Sequence, residues 1–336
     1  MLRMGLIGAG TMGRWYARTF AEYERSRLVA VCDMDRARAQ ALAEQWGAAA
    51  HTDYRAMLAE EQLDAVAVAT PDRFHRAPAV ACLEAGKHVL CEKPLATTME
   101  DALAIEEAAS RTGREVMVNF GNRRRDRVQA ARRAVLEEGA IGEIADAYVE
   151  LNERIGKTNT LSWAAETSPV WFLLSHCVDT LRYVTGLEIV EVRGYETRKL
   201  LAARGLPTSD TALFVAELSN GGHAFLGSSW AFPEAYGPDI DFRLRLLGVR
   251  GLLEVQMHPH DMWLHTGRSR TLNYTYGYLD HRGHMSHWWT DSTCYFVDCI
   301  LDRVHPTPDL ADGLACLRVL LAMEEAAATG RSCRVG

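Results

Sequence analysis

Apolar residues in the first third of the chain come in short, mostly apolar runs separated by stretches of helical spacing. The runs are residues 3–7, 28–32, 64–69, 87–91 and 115–118. Between them, residues 14–24, 36–46, 53–60, 74–85 and 98–112 read as amphipathic helices, and Gly86 and Gly113 are placed to end two of them. A strand that is apolar along its length is buried on both faces, as in a parallel sheet. Strands that alternate with helices in this way predict such a sheet with right-handed crossovers.

The second half changes period. After a helix over 127–138 and a turn at Gly139 and Gly142, a strand over 144–152 opens a new domain. Residues 189–197, 211–218, 223–231, 242–247 and 252–257 follow as strands, several alternating apolar with polar as half-buried strands do. Asn220-Gly221-Gly222 reads as a hairpin turn, and a last helix covers 310–328. The predicted fold class is α/β. An N-terminal doubly wound parallel sheet over 1–122 precedes an α+β domain over 123–336 with a large, mainly antiparallel open sheet.

Composition narrows the function classes. With 336 residues, 48% hydrophobic and 24% charged, the chain has the length of about two ordinary globular domains. A net charge of −7 argues against a nucleic-acid or anionic-membrane surface. The 8 cysteines are scattered, with no Cys-x-x-Cys pair, so neither a disulfide framework nor a zinc site is expected and a reducing, cytoplasmic location is. The N-terminus does not fit a signal peptide, and no run is long enough to span a bilayer. The spacings of His258, His260, His281, His284 and His287 match no common zinc pattern, so no metal is expected.

Two stretches carry chemistry. Gly8-Ala9-Gly10-Thr11-Met12-Gly13 stands between the first strand and the first helix. Glycines so spaced allow a tight turn, close backbone approach to a pyrophosphate and close helix–sheet packing, with the helix N-terminus facing the phosphates. Asp33 closes the second strand 20 residues past Gly13, where a carboxylate can accept both ribose hydroxyl protons and repel a 2′-phosphate. NAD is therefore expected, with NADP as the alternative in which Arg36 and Arg38 would hold the phosphate. The second stretch is Glu92-Lys93-Pro94, just beyond the strand over 87–91. Open α/β sheets place ligands at the carboxyl ends of their strands, so Lys93 is a candidate proton carrier and Pro94 stiffens the turn that aims it.

These residues identify a resemblance. The glycine motif, Asp33, Thr70-Pro71 with His75, Ala85-Gly86-Lys87-His88-Val89 leading into Glu92-Lys93-Pro94, Asn122-Arg123-Arg124, and His176 with Asp179 resemble the Gfo/Idh/MocA family of NAD(P)-dependent oxidoreductases. The resemblance spans nearly the whole chain. It implies a Rossmann domain, a second domain with an open sheet, a C-terminal tail that returns to the first domain, and hydride transfer at a sugar or polyol carbon. It implies Lys93 as the catalytic lysine, with His176 sharing the proton work and Asp179 as orienter. Cofactor contacts are then expected from Gly8, Gly10, Thr11, Met12, Gly13, Asp33, Thr70, Pro71, His75, Glu92 and Lys93. Asn119, Arg123, Arg124, Trp163 and Phe172 join Lys93 and His176 as substrate-binding candidates. A homodimer or homotetramer is expected, because an open apolar sheet face needs a partner.

One position departs from the family pattern. Over 169–185, Phe172, His176, Asp179 and Tyr183 fall on one helical face. Many polyol dehydrogenases of the family carry an aspartate where Phe172 stands. Two alternatives therefore stay beside the sugar dehydrogenase: an NAD-retaining enzyme that cleaves or eliminates by transient oxidation, and a dinucleotide-binding sensor without turnover.

Overall fold

The structure, a computed structural model, describes residues 1–236, 240–257, 261–266, 270–274 and 288–336. The chain forms two compact units, Met1–Gly121 with Tyr278–Leu317, and Asn122–Gly277 with Arg318–Gly336. Among the described residues no helix is long and apolar enough to cross a membrane.

The first unit is built on six strands: β1 (Leu2–Ile7), β2 (Ser26–Cys32), β3 (Ala49–His51), β4 (Ala65–Val68), β5 (His88–Cys91) and β6 (Val116–Val118). Their order is β3-β2-β1-β4-β5-β6, and every pairing is parallel. The chain runs outward from β1 to β3, then returns to β4 on the other side of β1. The switch point of the sheet therefore lies between β1 and β4, where such folds bind ligands beyond the strands' carboxyl ends. Helices α1 (Thr11–Glu22), α2 (Arg36–Trp46), α3 (Tyr54–Glu60), α4 (Arg76–Glu84) and α5 (Met99–Thr112) join the strands. Asp35, Asp53 and Thr98 cap α2, α3 and α5 by accepting from backbone N–H groups of their first turns.

Three features differ from the pattern read in the sequence. Helix α1 starts at Thr11, inside the glycine motif, and the Arg14 N–H already donates to the Gly10 carbonyl at 3.0 Å. Strand β3 has only three residues, too few to set up a period. A helix over Trp288–Asp302 belongs to this unit, with Phe296 and Val297 buried in the core beside Tyr16 and Phe20. Tyr23 donates to its Asp298 at 2.7 Å, and the Arg25 guanidinium reaches Asp298 at 2.6 Å and also Asp302.

In the second unit, β7 (Ile144–Arg154), β8 (Ile189–Thr197), β9 (Thr211–Leu218), β10 (His223–Phe232), β11 (Ile240–Gly248), β12 (Gly251–Gln256), β13 (Asp261–Thr266), β14 (Arg270–Tyr274) and β15 (Cys333–Arg334) form one sheet. The order is β14-β13-β12-β11-β7-β10-β9-β8-β15. Only the β7–β10 pairing is parallel, so the sheet is mixed but mainly antiparallel. Strand β9 alternates fully: Ala212, Phe214, Ala216 and Leu218 are buried, while Leu213 and Val215 are exposed. The hairpin at Asn220 forms as expected, with Gly221 at φ +82° and the Leu218 N–H bonded to the Gly222 carbonyl at 2.8 Å.

Two helices wind differently from their sequence period. Helix α6 (Asp126–Arg132) continues into a π-helical turn over Arg133–Glu137. A π-turn over Val170–Leu174 precedes the regular helix Ser175–Thr185, which Gly186 closes at φ +68°. A π-turn carries more residues than an α-turn, so Phe172 is rotated away from the stripe that regular winding gives His176, Asp179 and Tyr183.

Two glycines of the first unit leave no room for a side chain. A Cβ on Gly13 would lie 1.9 Å from the Gly8 carbonyl oxygen, and one on Gly8, at φ +101°, would lie 2.5 Å from the Ala69 carbonyl. Gly13→Ala is expected to destabilise the protein by about 1–3 kcal/mol or more through overpacking. Thermal unfolding tests this, and a variant as stable as wild type would contradict the packing.

Candidate active site

At the carboxyl end of β1 the loop to α1 encloses an open space. A Cβ on Gly10 would meet nothing within 4 Å, and α1 begins there without a side-chain cap. The first N–H groups of α1, with the positive end of its dipole, thus face a cradle fit for a pyrophosphate. Thr11 is exposed at its rim and Met12 is half-buried. At the end of β2, Asp33 accepts from the Ala9 N–H at 2.7 Å and from the Asp35 N–H at 2.8 Å. These bonds lock the carboxylate beside the glycine loop and leave lone pairs for ribose hydroxyls. The residues therefore fit a dinucleotide.

Further along the same edge, polar side chains are buried. Glu92 follows β5, and its Oε1 accepts from Tyr16 of α1 and from the Asn119 amide at 3.1 Å. Asn119 follows β6; its amide also donates to the Tyr16 hydroxyl, and its Oδ1 accepts from Ser292 at 2.6 Å. The Ser292 bond fixes which end of the Asn119 amide faces Glu92. Burial and then the Glu92 carboxylate raise the Tyr16 phenol well above its ordinary range, so it stays a donor. Tyr16 and Ser292 escaped the sequence reading. Tyr16 sits on the buried stripe of α1, stacked on Phe20 with ring centroids 6.0 Å apart, and reads as core.

Lys93 comes next, its backbone N–H donating to Glu92 Oε2 at 3.3 Å. The Lys93–Pro94 peptide is cis, and Lys93 is only 8% exposed. His75 is wholly buried. Its Nδ1 lies 2.8 Å from the Pro94 carbonyl oxygen and its Nε2 2.9 Å from the Thr70 carbonyl oxygen. The structure thus brings Thr70, His75 and Pro94 together, and Glu92 with Asn119.

In the second unit Arg123 and Asp179 meet. The Arg123 Nη2 donates to Asp179 Oδ1 at 2.6 Å, and its Nε lies 3.1 and 3.0 Å from the two carboxylate oxygens. The guanidinium also lies over the Tyr183 ring, 4.8 Å from its centroid, and Arg132 sits at 4.5 Å from the same ring. Arg123, expected to bind substrate, is thus held by Asp179, one turn past His176. His176 is half-buried on the same helix, and Arg124 is half-buried on the short turn Gly121–Arg124. Phe172 packs elsewhere: Trp163 meets it edge-on at 5.9 Å, Trp230 lies at 5.9 Å on another side, and Lys157 Nζ is 5.4 Å from its centroid. Trp230 is fully buried and donates to the Ser209 carbonyl at 2.6 Å, so it is a core residue; Trp163 is half-buried.

Groups of His, Cys, Asp and Glu that could hold a metal are absent among the described residues. The histidines at 258, 260, 281, 284 and 287 lie outside the described residues.

A parallel sheet with an open glycine cradle at its switch point and a carboxylate at the end of β2 defines a dinucleotide-binding unit. The chain belongs to the Gfo/Idh/MocA family: residues 2–120 match its NAD-binding Rossmann-fold oxidoreductase domain, and residues 128–254 match the GFO/IDH/MocA C-terminal domain. It is 35% identical over 261 residues to inositol 2-dehydrogenase 2 of Saccharopolyspora erythraea, covering 77% of this chain and 74% of that relative. It is 31% identical over 251 residues to D-glucoside 3-dehydrogenase of Escherichia coli, covering 68% of this chain and 70% of that one. An oxidoreductase from Agrobacterium radiobacter, solved in complex with NAD+, L-tartaric acid and magnesium, shares the fold with a TM-score of 0.90 at 21% identity, covering 100% of this chain and 98% of that one.

The Arg123–Asp179 pair is almost fully buried, with side-chain exposures of 6% and 0%. Asp179→Ala removes one half of a buried, charge-assisted pair, so it is expected to cost about 3–5 kcal/mol in denaturant unfolding. A loss below about 1 kcal/mol, the level of an exposed pair, would contradict this placement.

Proposed function

We propose that this protein is an NAD-dependent dehydrogenase that oxidises a secondary hydroxyl of a sugar, glycoside or polyol, or reduces the matching ketone. The observation that carries the reading is the position of Lys93. It lies two residues past the end of β5 at the carboxyl edge of the sheet, in the same unit as the glycine cradle and beside a Glu92 anchored by buried donors. The inositol and glucoside dehydrogenases among the relatives support the substrate class.

When bound, the nicotinamide cofactor supplies the hydride acceptor or donor. Gly8, Gly10, Thr11, Met12 and Gly13 would hold the pyrophosphate, Asp33 the adenosine ribose, and Thr70, Pro71 and Glu92 the remainder. Lys93 Nζ takes the hydroxyl proton or polarises the oxygen as the C–H bond breaks, and the His176 imidazole is the second acid–base group of this reading. Arg123, bonded to Asp179 and lying over Tyr183, fixes the helix that carries all three of Asp179, Tyr183 and His176. Trp163 offers a half-buried ring to a sugar, backed by Phe172. Phe172 provides no carboxylate, so in this reading Lys93 and His176 share the proton work with Asp179 as orienter; an atypical reaction is the alternative.

A panel of inositols, glycosides and monosaccharides, assayed for NADH appearance, tests the substrate class. A higher kcat/KM with NAD than with NADP is expected from Asp33. Lys93→Met is expected to lose about 10²–10⁴-fold in kcat. Full turnover in that variant would remove Lys93 from the reaction. Substrate consumption without NADH release would favour the NAD-retaining reading, and NAD binding with no turnover of any substrate would favour a sensor.

The second unit also exposes apolar side chains on one face of its sheet, with Tyr195 58%, Leu213 49% and Val215 54% exposed. Tyr195 pairs across from Leu213, and Val215 across from Phe225. We read this face as the seat of a second copy of the chain. Light scattering is expected to find a dimer or tetramer that Val215→Asp dissociates; a wild-type monomer at micromolar concentration would refute this assignment.

A further inference from the structure

His75 has no direct part in the chemistry proposed above, yet it is 0% exposed and both its ring nitrogens face backbone carbonyls. A carbonyl oxygen only accepts. A neutral imidazole has one N–H, so it can serve one of these two acceptors and must turn a lone pair toward the other. Both hydrogen bonds, at 2.8 and 2.9 Å, are made only when each nitrogen carries a proton, with the Cys91 sulfur beside the ring as a further acceptor. The two carbonyls belong to the loops after β4 and β5, which carry the proposed cofactor contacts Thr70 and Pro71, and Glu92 with Lys93.

We propose that His75 is a positioning residue: a buried imidazolium that bridges the Thr70 and Pro94 carbonyls and so fixes Lys93 against the cofactor loop. The inference rests on the proposed role of Lys93. The charge has counterparts on the elements around it. Asp72 of the turn after Pro71, 7% exposed, supplies the opposite charge, and the Cys91 sulfur of β5 and the two carbonyls supply hydrogen-bond partners. Burial opposes the charge, but Cys91, Asp72 and the Thr70 carbonyl outweigh it and raise the imidazolium pKa to about 10. A folded-state pKa above the ordinary value of about 6.5 gives a stabilisation that is complete below pH about 6.5 and fades as pH rises toward 10.

The test combines a spectroscopic and a kinetic arm on the full chain. In protein labelled with 15N-histidine, the signal that His75→Gln removes is expected to show two protonated ring nitrogens from pH 6.5 to 9. The melting-temperature gap between wild type and His75→Gln is expected to be widest below pH about 6.5 and to narrow toward pH 10. A bridge that places Lys93 predicts a kcat loss of roughly 10²-fold in His75→Leu, and a smaller loss in His75→Gln, whose amide can still donate. A neutral, singly protonated ring at pH 7.5 would overturn the inference, as would wild-type kcat in both variants. The spectroscopic arm needs no substrate, and it stands even where His75→Leu fails to fold. A doubly protonated ring in a protein that oxidises no sugar would leave the bridge in place and reject the dehydrogenase reading instead.

Discussion

Three backbone segments of the first unit touch with no side chain between them. The Gly8 carbonyl lies where a Gly13 Cβ would be, and the Ala69 carbonyl lies where a Gly8 Cβ would be. This contact draws the end of β1, the start of α1 and the end of β4 onto one point at the switch of the sheet. Two consequences follow from the geometry. The N-terminus of α1 must open outward over Gly10, where there is room. The loops after β2, β4, β5 and β6 must converge on the same edge, because every strand is parallel.

That convergence explains why so many polar side chains are buried there. Tyr16, Glu92, Asn119 and His75 are buried, and each has a bond to another strand's loop or to α1; the half-buried Asp33 has one to the loop after β1. A buried polar group costs free energy unless its partners are in place, so such contacts tolerate few alternative arrangements. The edge of the sheet is therefore the least adaptable part of the unit, which suits a site that must hold reacting groups to fractions of an ångström. The second unit handles polarity differently. Its buried ion pair, Arg123 with Asp179, braces a helix against the turn beside it.

Much of this could be read from residue types. The strands of the first unit were legible because they are apolar throughout, and the glycine motif because it stands between a strand and a helix. Lys93 and Asp33 stood out as charges directly after such strands. What stayed hidden depends on contacts distant in sequence. Tyr16 looks like Phe20 to any periodicity, and only its hydroxyl, 76 residues from Glu92 along the chain, separates it from core. Arg123 reads as a free cation until Asp179, 56 residues on, is folded against it. The winding of 170–174 and 133–137 as π-turns was invisible, because both stretches also fit an ordinary helical period. The helix over Trp288–Asp302 joins a core assembled nearly three hundred residues earlier, through Tyr23 and Arg25 to Asp298.

The glycine cradle is the feature on which the dinucleotide, and with it the whole reaction, depends. Gly10 separates cradle from scaffold, because its backbone suits any residue and its Cβ position is vacant of protein atoms. Calorimetric titration of NAD into wild type and Gly10→Val is the direct measurement. The predicted result is a variant with the wild-type melting temperature and no measurable NAD binding. Wild-type affinity in Gly10→Val would mean that the dinucleotide, if it binds, binds somewhere else.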